Sequence, residues 1–150
     1  MRNDVESVLR ASRALLGVIA RSVTEALDSV TLPQFRVLVV LASSGPCIVG
    51  ILASRLGAVA STCSRFLDRL ETAGLVQRLP SPDSRREILV GLTPKGVGIV
   101  QEATDRRREA MAEILDRLAP EQHADLIAAL NTFSAAAGEP APETLLTLGL

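Results

Sequence analysis

The chain has 150 residues, of which 47% are apolar and 2% aromatic, with no Trp or Tyr and a net charge of −1. That length suits one domain, and a core limited to Leu, Val, Ile and Ala favours helices. The near-neutral balance gives no whole-chain sign of a polyanion partner, and no apolar stretch reaches membrane-spanning length.

The opening "MRNDVESVLRASR" carries charges where a signal peptide needs an apolar run, so a cytoplasmic protein without a membrane partner is expected. Residues 4–28 read as one long amphipathic helix, with Val5, Val8, Leu9, Leu15, Leu16, Ile19, Val23 and Leu27 recurring near a 3.6 period. Asn3 or Asp4 is the expected cap. The stripe is long for a helix at the edge of so small a domain, so part of it is expected to face another chain.

In "TLPQFRVLVVLASSG", Thr31 is placed to cap a second helix, Pro33 sits near its first turn and Gly45-Pro46 ends it. A short third helix, "IVGILASRLG", spans 48–57 and stops at Gly57. A fourth covers about 60–73, with Gly74 as a left-handed stop. The period then changes. "LVQRLP" and "EILVGL", joined by "SPDSRR", predict a β-hairpin whose tip carries Asp83, Arg85 and Arg86. Thr93 and Pro94 open a helix to about 118, and Pro120 opens a last one to about 137. In the tail "GEPAPETLLTLGL", Leu145, Leu146, Leu148 and Leu150 are too apolar to be left in water. They are expected to pack on the helical layer, against their own chain or a partner.

Charge is unevenly spread. Between Arg55 and Arg86 there are six basic and three acidic residues, a local +3 against −4 for the rest. Such a segment fits a polyanion partner, and equally an ordinary charged surface. At 100° per residue, Phe66, Leu67 and Leu70 fall within about 60° of Cys63 and form the inner face of the fourth helix. Ser61, Arg65, Asp68 and Thr72 lie opposite, with Thr62 and Arg69 on one edge and Ser64 on the other.

A short helix, a tight turn at Gly57 and a second helix starting with small polar residues match the helix-turn-helix pattern, and the hairpin makes it a winged helix. Small residues let the helix backbone approach DNA. Hydroxyls bond bases or phosphates, arginine forks onto guanine, and a wing arginine suits a narrow minor groove. Winged helices also serve as protein-binding modules, and that alternative stays open at this level.

The segments "LPQFRVLVVLASSGP", "ILASRLGAVASTCSRFLDRLETAGLVQR" and "SPDSRREILVGLTPKG", in that order and spacing, resemble the MarR family of bacterial transcription regulators. The resemblance covers about residues 5–137. It implies a mainly α fold with a small β-hairpin wing, built as a winged helix-turn-helix on a helical dimerisation platform. Residues 1–30 and 94–150 would form the platform and tail, and 31–93 the DNA-binding region. It further implies a homodimer on a palindromic double-stranded DNA operator, acting as a repressor and released by a small-molecule effector or by oxidation. The implied DNA-binding set is Ser61, Thr62, Ser64, Arg65, Arg69, Arg85 and Arg86.

Two positions depart from the family pattern. A Ser-Pro pair is replaced by Val59-Ala60, which removes an N-cap worth about 1 kcal/mol. The wing pattern Asp-x-Arg, with its arginine six residues before the Leu of "LT", selects Arg86 before Arg85. It puts Ser84 where the aspartate belongs, with Asp83 shifted by one.

Cys47 and Cys63 have no metal-site spacing and there is a single histidine, His123, so neither a metal nor a cofactor is expected. Cys63 reads as a small buried hydrophobe and Cys47 as semi-exposed, which keeps a cysteine-based redox sensor as an alternative. His123, in the first turn of the last helix, suits a surface or an interface. Without a nucleophile elbow, a metalloprotease helix or a phosphate loop, no catalytic residues are assigned and an enzyme is not expected.

Overall fold

Thr31 sets the start of the most buried helix. Its hydroxyl receives the Gln34 amide N–H at 3.5 Å while the Gln34 side-chain oxygen accepts from the Thr31 N–H at 2.9 Å, a reciprocal cap. The computed structural model describes residues 1–84 and 87–138. Its helices are α1 (Arg2–Val23), α2 (Leu32–Ser44), α3 (Val49–Leu56), α4 (Ala60–Thr72), α5 (Pro94–Leu115) and α6 (Pro120–Ala136). Its strands are β1 (Cys47–Ile48), β2 (Val76–Pro80) and β3 (Ile88–Leu92). The chain divides into two units, one of residues 1–25 with 103–138, the other of 26–102. The carboxy-terminal leucines lie outside the described residues.

In the second unit α2 is buried nearly all round, through Phe35, Val37, Leu38, Val39, Val40 and Leu41, as expected of a central helix. Leu52 of α3, Leu67 and Leu70 of α4, and Leu75 and Val90 of the hairpin region complete the core. Each such side chain contributes about 1.5–3 kcal/mol on leaving water. The sheet is antiparallel in the order β1-β3-β2, with Val76 opposite Leu92 and Cys47 opposite Val90. The predicted hairpin forms. The two-residue β1 was not expected, because it is too short to show an alternation and pairs with a strand far along the chain.

Gly57 and Gly74 end α3 and α4 at φ of 61° and 72°, conformations that disfavour any residue with a Cβ. The junction after α4 is fastened at long range. The Thr93 hydroxyl donates to the Gly74 carbonyl at 2.6 Å, and Lys95 Nζ donates to the Ala73 carbonyl at 2.8 Å. The Thr93 N–H donates to the Leu75 carbonyl at 3.1 Å, and the Thr93 hydroxyl oxygen accepts from the Gly96 N–H at 3.1 Å. Thr93 therefore caps α5, as expected, and also holds the end of α4.

In the other unit α1 ends earlier than the periodicity suggested, at Val23, followed by a 3-10 turn at Ala26–Asp28. The Thr24 hydroxyl bonds back to the Ala20 carbonyl and its N–H to Arg21, which tightens and ends the last turn. The expected Asn3 or Asp4 cap is not formed, because the helix starts at Arg2 with Met1 in the cap position, which puts both residues inside its first turn. Glu25 pairs with Arg106 of α5. Leu16 is 60% exposed and Phe133 56%, and no residue of α6 is buried. Among the described residues no helix is long and apolar enough to cross a membrane.

Candidate nucleic-acid interface

The α4 helix sorts its side chains as its sequence requires. Cys63, Leu67 and Leu70 face the core, with Phe66 half-buried beside them. Ser61, Arg65, Asp68, Arg69 and Thr72 are exposed, while Thr62 and Ser64 are half-buried at the two edges. Val59 occupies the N-cap position without a side-chain acceptor, as the loss of Ser-Pro implied. The Thr62 and Cys63 amides both reach back to the Val59 carbonyl at 3.0 Å, and no side chain caps the first turn. An uncapped helix start flanked by small residues leaves N–H groups and a positive dipole end available to an anion.

The charges on this face are arranged by a residue that sequence reasoning missed as a positioning group. Arg78, on β2, donates from Nη2 to Asp68 at 2.6 Å and from Nε to Glu71 at 2.9 Å. The Arg78 guanidinium is held above its ordinary range, first by the hydrogen bond to Glu71, while partial burial opposes the shift. Exposed pairs of this kind contribute only about 0–1 kcal/mol to stability. Their effect is geometric: the wing strand is tied to α4, and both acidic groups of the helix are occupied. Arg65 donates only to the Thr62 hydroxyl, at 3.4 Å, and among the described residues neither Arg65 nor Arg69 has a carboxylate partner. These two arginines stand four residues apart, so they repel each other unless an anion lies between them. Arg78 was counted only as local charge, because partners seven and ten residues upstream on another element leave no periodic signal.

The structure brings together Ser61, Thr62, Ser64, Arg65 and Arg69 on one helix. Arg85 and Arg86, expected at the wing tip, lie outside the described residues.

Cys47 is buried rather than semi-exposed, since β1 pairs it with β3. Desolvation pushes its thiol up, opposed by the Arg55 charge. Desolvation also raises Cys63, and neighbouring Cys47 adds to that shift. Buried protonated thiols are poor nucleophiles. Iodoacetamide at pH 7 should label both cysteines far more slowly in the native protein than in urea. Rapid native labelling would contradict their placement. Because both values are raised, their contribution to stability is full below the free thiol value near 8.5. It falls as pH rises past that value towards the folded one. His123 is exposed at the start of α6.

The model of the MarR family matches residues 30–88. The HTH-type transcriptional regulator YsmB of Bacillus subtilis is 29% identical over 119 residues, 79% of this chain and 81% of that protein. The multiple antibiotic resistance protein MarR of Salmonella typhimurium is 37% identical over 78 residues, 51% of this chain and 54% of that protein. Among solved structures, RV1404 from Mycobacterium tuberculosis is 41% identical with a TM-score of 0.79, covering 90% of this chain and 92% of that one. YsmB is by its name a regulator of transcription. With its winged helix and these relatives, the chain belongs to the MarR family of transcription regulators.

Proposed function

We propose that the protein is a homodimer that binds a palindromic operator and represses a nearby promoter until a small effector releases it. The observation that carries the DNA-binding part is the outward face of α4. Two arginines there have no carboxylate partner among the described residues, Arg78 occupies Asp68, and an uncapped helix start lies beside them. Arg65 is the base reader, Arg69 a phosphate contact, and Ser61, Thr62 and Ser64 bond base edges or phosphates. Arg86, with Arg85 second, serves the minor groove. Residues 1–30 and 94–150 make the platform, and 31–93 the DNA-binding region.

The homodimer rests on α1 and α6. Val5, Leu9 and Leu16 are exposed on the first, Ile127, Leu130 and Phe133 on the second. Apolar surface from both ends of a chain is expected to be buried in a two-fold contact. Sedimentation at micromolar concentration should give a dimer of 15.9 kDa chains. Leu16→Asp should give a folded monomer, since Leu16 is already outside the core. A monomeric wild type would overturn the dimer. Titrating a labelled duplex from the DNA flanking the protein's own gene should show two chains per site, with affinity falling steeply as salt rises.

A further inference from the structure

Three successive backbone carbonyls follow the last turn of α4, and one short segment takes all three. The Ala73 carbonyl accepts from Lys95 Nζ at 2.8 Å, that of Gly74 from the Thr93 hydroxyl at 2.6 Å, and that of Leu75 from the Thr93 N–H at 3.1 Å. Of these donors only Lys95 carries a charge. It stands at the negative end of the α4 dipole, where a cation and an orphan carbonyl suit each other. Among the described residues no carboxylate competes for it. Lys95 is exposed, and holding a long exposed side chain in one place costs entropy that offsets much of the gain. What the contact fixes is the end of α4.

That end is joined to the outward face by one hydrogen bond. The Ala73 N–H donates to the Arg69 carbonyl at 3.0 Å and closes the last turn of the helix. Arg69 is exposed one turn before Ala73, about 6 Å along the axis. Arg65 lies a further turn towards the helix start. Helix termini open first, so releasing Ala73 loosens the turn that carries Arg69 and leaves Arg65 in place.

We propose that Lys95 is a positioning residue for DNA binding: by holding the Ala73 carbonyl it fixes the last turn of α4, and with it the direction in which Arg69 presents its charge to a phosphate. This rests on the DNA-binding reading of α4 and gives Lys95 no DNA contact of its own.

A double-mutant cycle tests it in the full-length chain, by anisotropy titration of operator and scrambled duplexes. Lys95→Ala should weaken binding to both by about three- to ten-fold. Lys95→Arg, which keeps the charge and the donor, should restore it. In an Arg69→Ala background, Lys95→Ala should cost less than about a further two-fold. Losses that multiply in full would make Lys95 a phosphate contact in its own right and overturn the positioning role. Wild-type affinity in Lys95→Ala would overturn it too. Lys95 is the one lysine of the chain, so acetylating the wild type neutralises it together with the amino terminus alone, and Lys95→Arg treated alike is the control. Acetylation should weaken the wild type and spare the control, and equal responses count against the proposal. Amide exchange gives a readout without DNA. The Ala73 N–H should exchange faster in Lys95→Ala, and an unchanged rate means that Lys95 does not hold the last turn. A wild type that binds neither duplex removes the DNA-binding reading and this proposal with it. A wild type that binds, beside an unaffected Lys95→Ala, removes the proposal alone.

Discussion

Gly96→Ala should destabilise the chain by about 3 kcal/mol or more, because a Cβ there would lie 2.1 Å from the Leu75 carbonyl oxygen. That neighbour is backbone, held by the Thr93 N–H and followed directly by β2, so it cannot rotate away as a side-chain tip would. Overpacking a core usually costs about 1–3 kcal/mol, and an unyielding backbone contact lies at or beyond the upper end. Gly98→Ala is the control. The same helix has open space at that position, and replacing a helical glycine there should be neutral or stabilise by up to about 1 kcal/mol. Urea unfolding midpoints of the two variants check both. If Gly96→Ala matches the wild type, Leu75 and the start of α5 are not packed as described.

The second large effect concerns DNA. Arg65→Ala should cost about 1–3 kcal/mol of operator binding and relax the choice of base, since Arg65 stands mid-face on α4 without a competing carboxylate. Arg69→Ala should weaken operator and scrambled DNA alike and reduce the salt slope by about one. Anisotropy isotherms on both duplexes distinguish the two. Operator preference left intact in Arg65→Ala would mean that another residue reads the bases.

The order and type of the helices were legible because their signals are local. Thr31 with Gln34, the positive-φ stops at Gly57 and Gly74, and Thr93-Pro94 each act within a few residues. The outward face of α4 was legible for the same reason, since a 3.6 period fixes it once Cys63 and Leu67 are assigned to the core. What the sequence hid depends on partners far along the chain. The break in α1 at Thr24 interrupts an apolar pattern that runs on without a glycine or proline. Burial of Cys47 follows from pairing with Val90. The Arg78 brace and the close approach of Gly96 to Leu75 join elements whose neighbourhood is created only by folding. The occupied acidic groups on α4 show the same limit: composition counts Asp68 against DNA binding, whereas the structure has Arg78 holding it.

The most direct measurement is selection from random duplex DNA by the purified full-length protein, followed by sequencing of what it retains. Two recognition helices related by a two-fold axis should enrich an inverted repeat, with half-site centres about 10–10.5 base pairs, or a multiple of that, apart. Arg65→Ala should degrade the motif at the bases it reads without changing the half-site spacing. Retained DNA that matches the input library, or a single asymmetric motif bound by one chain, would contradict a dimer reading a palindrome through α4.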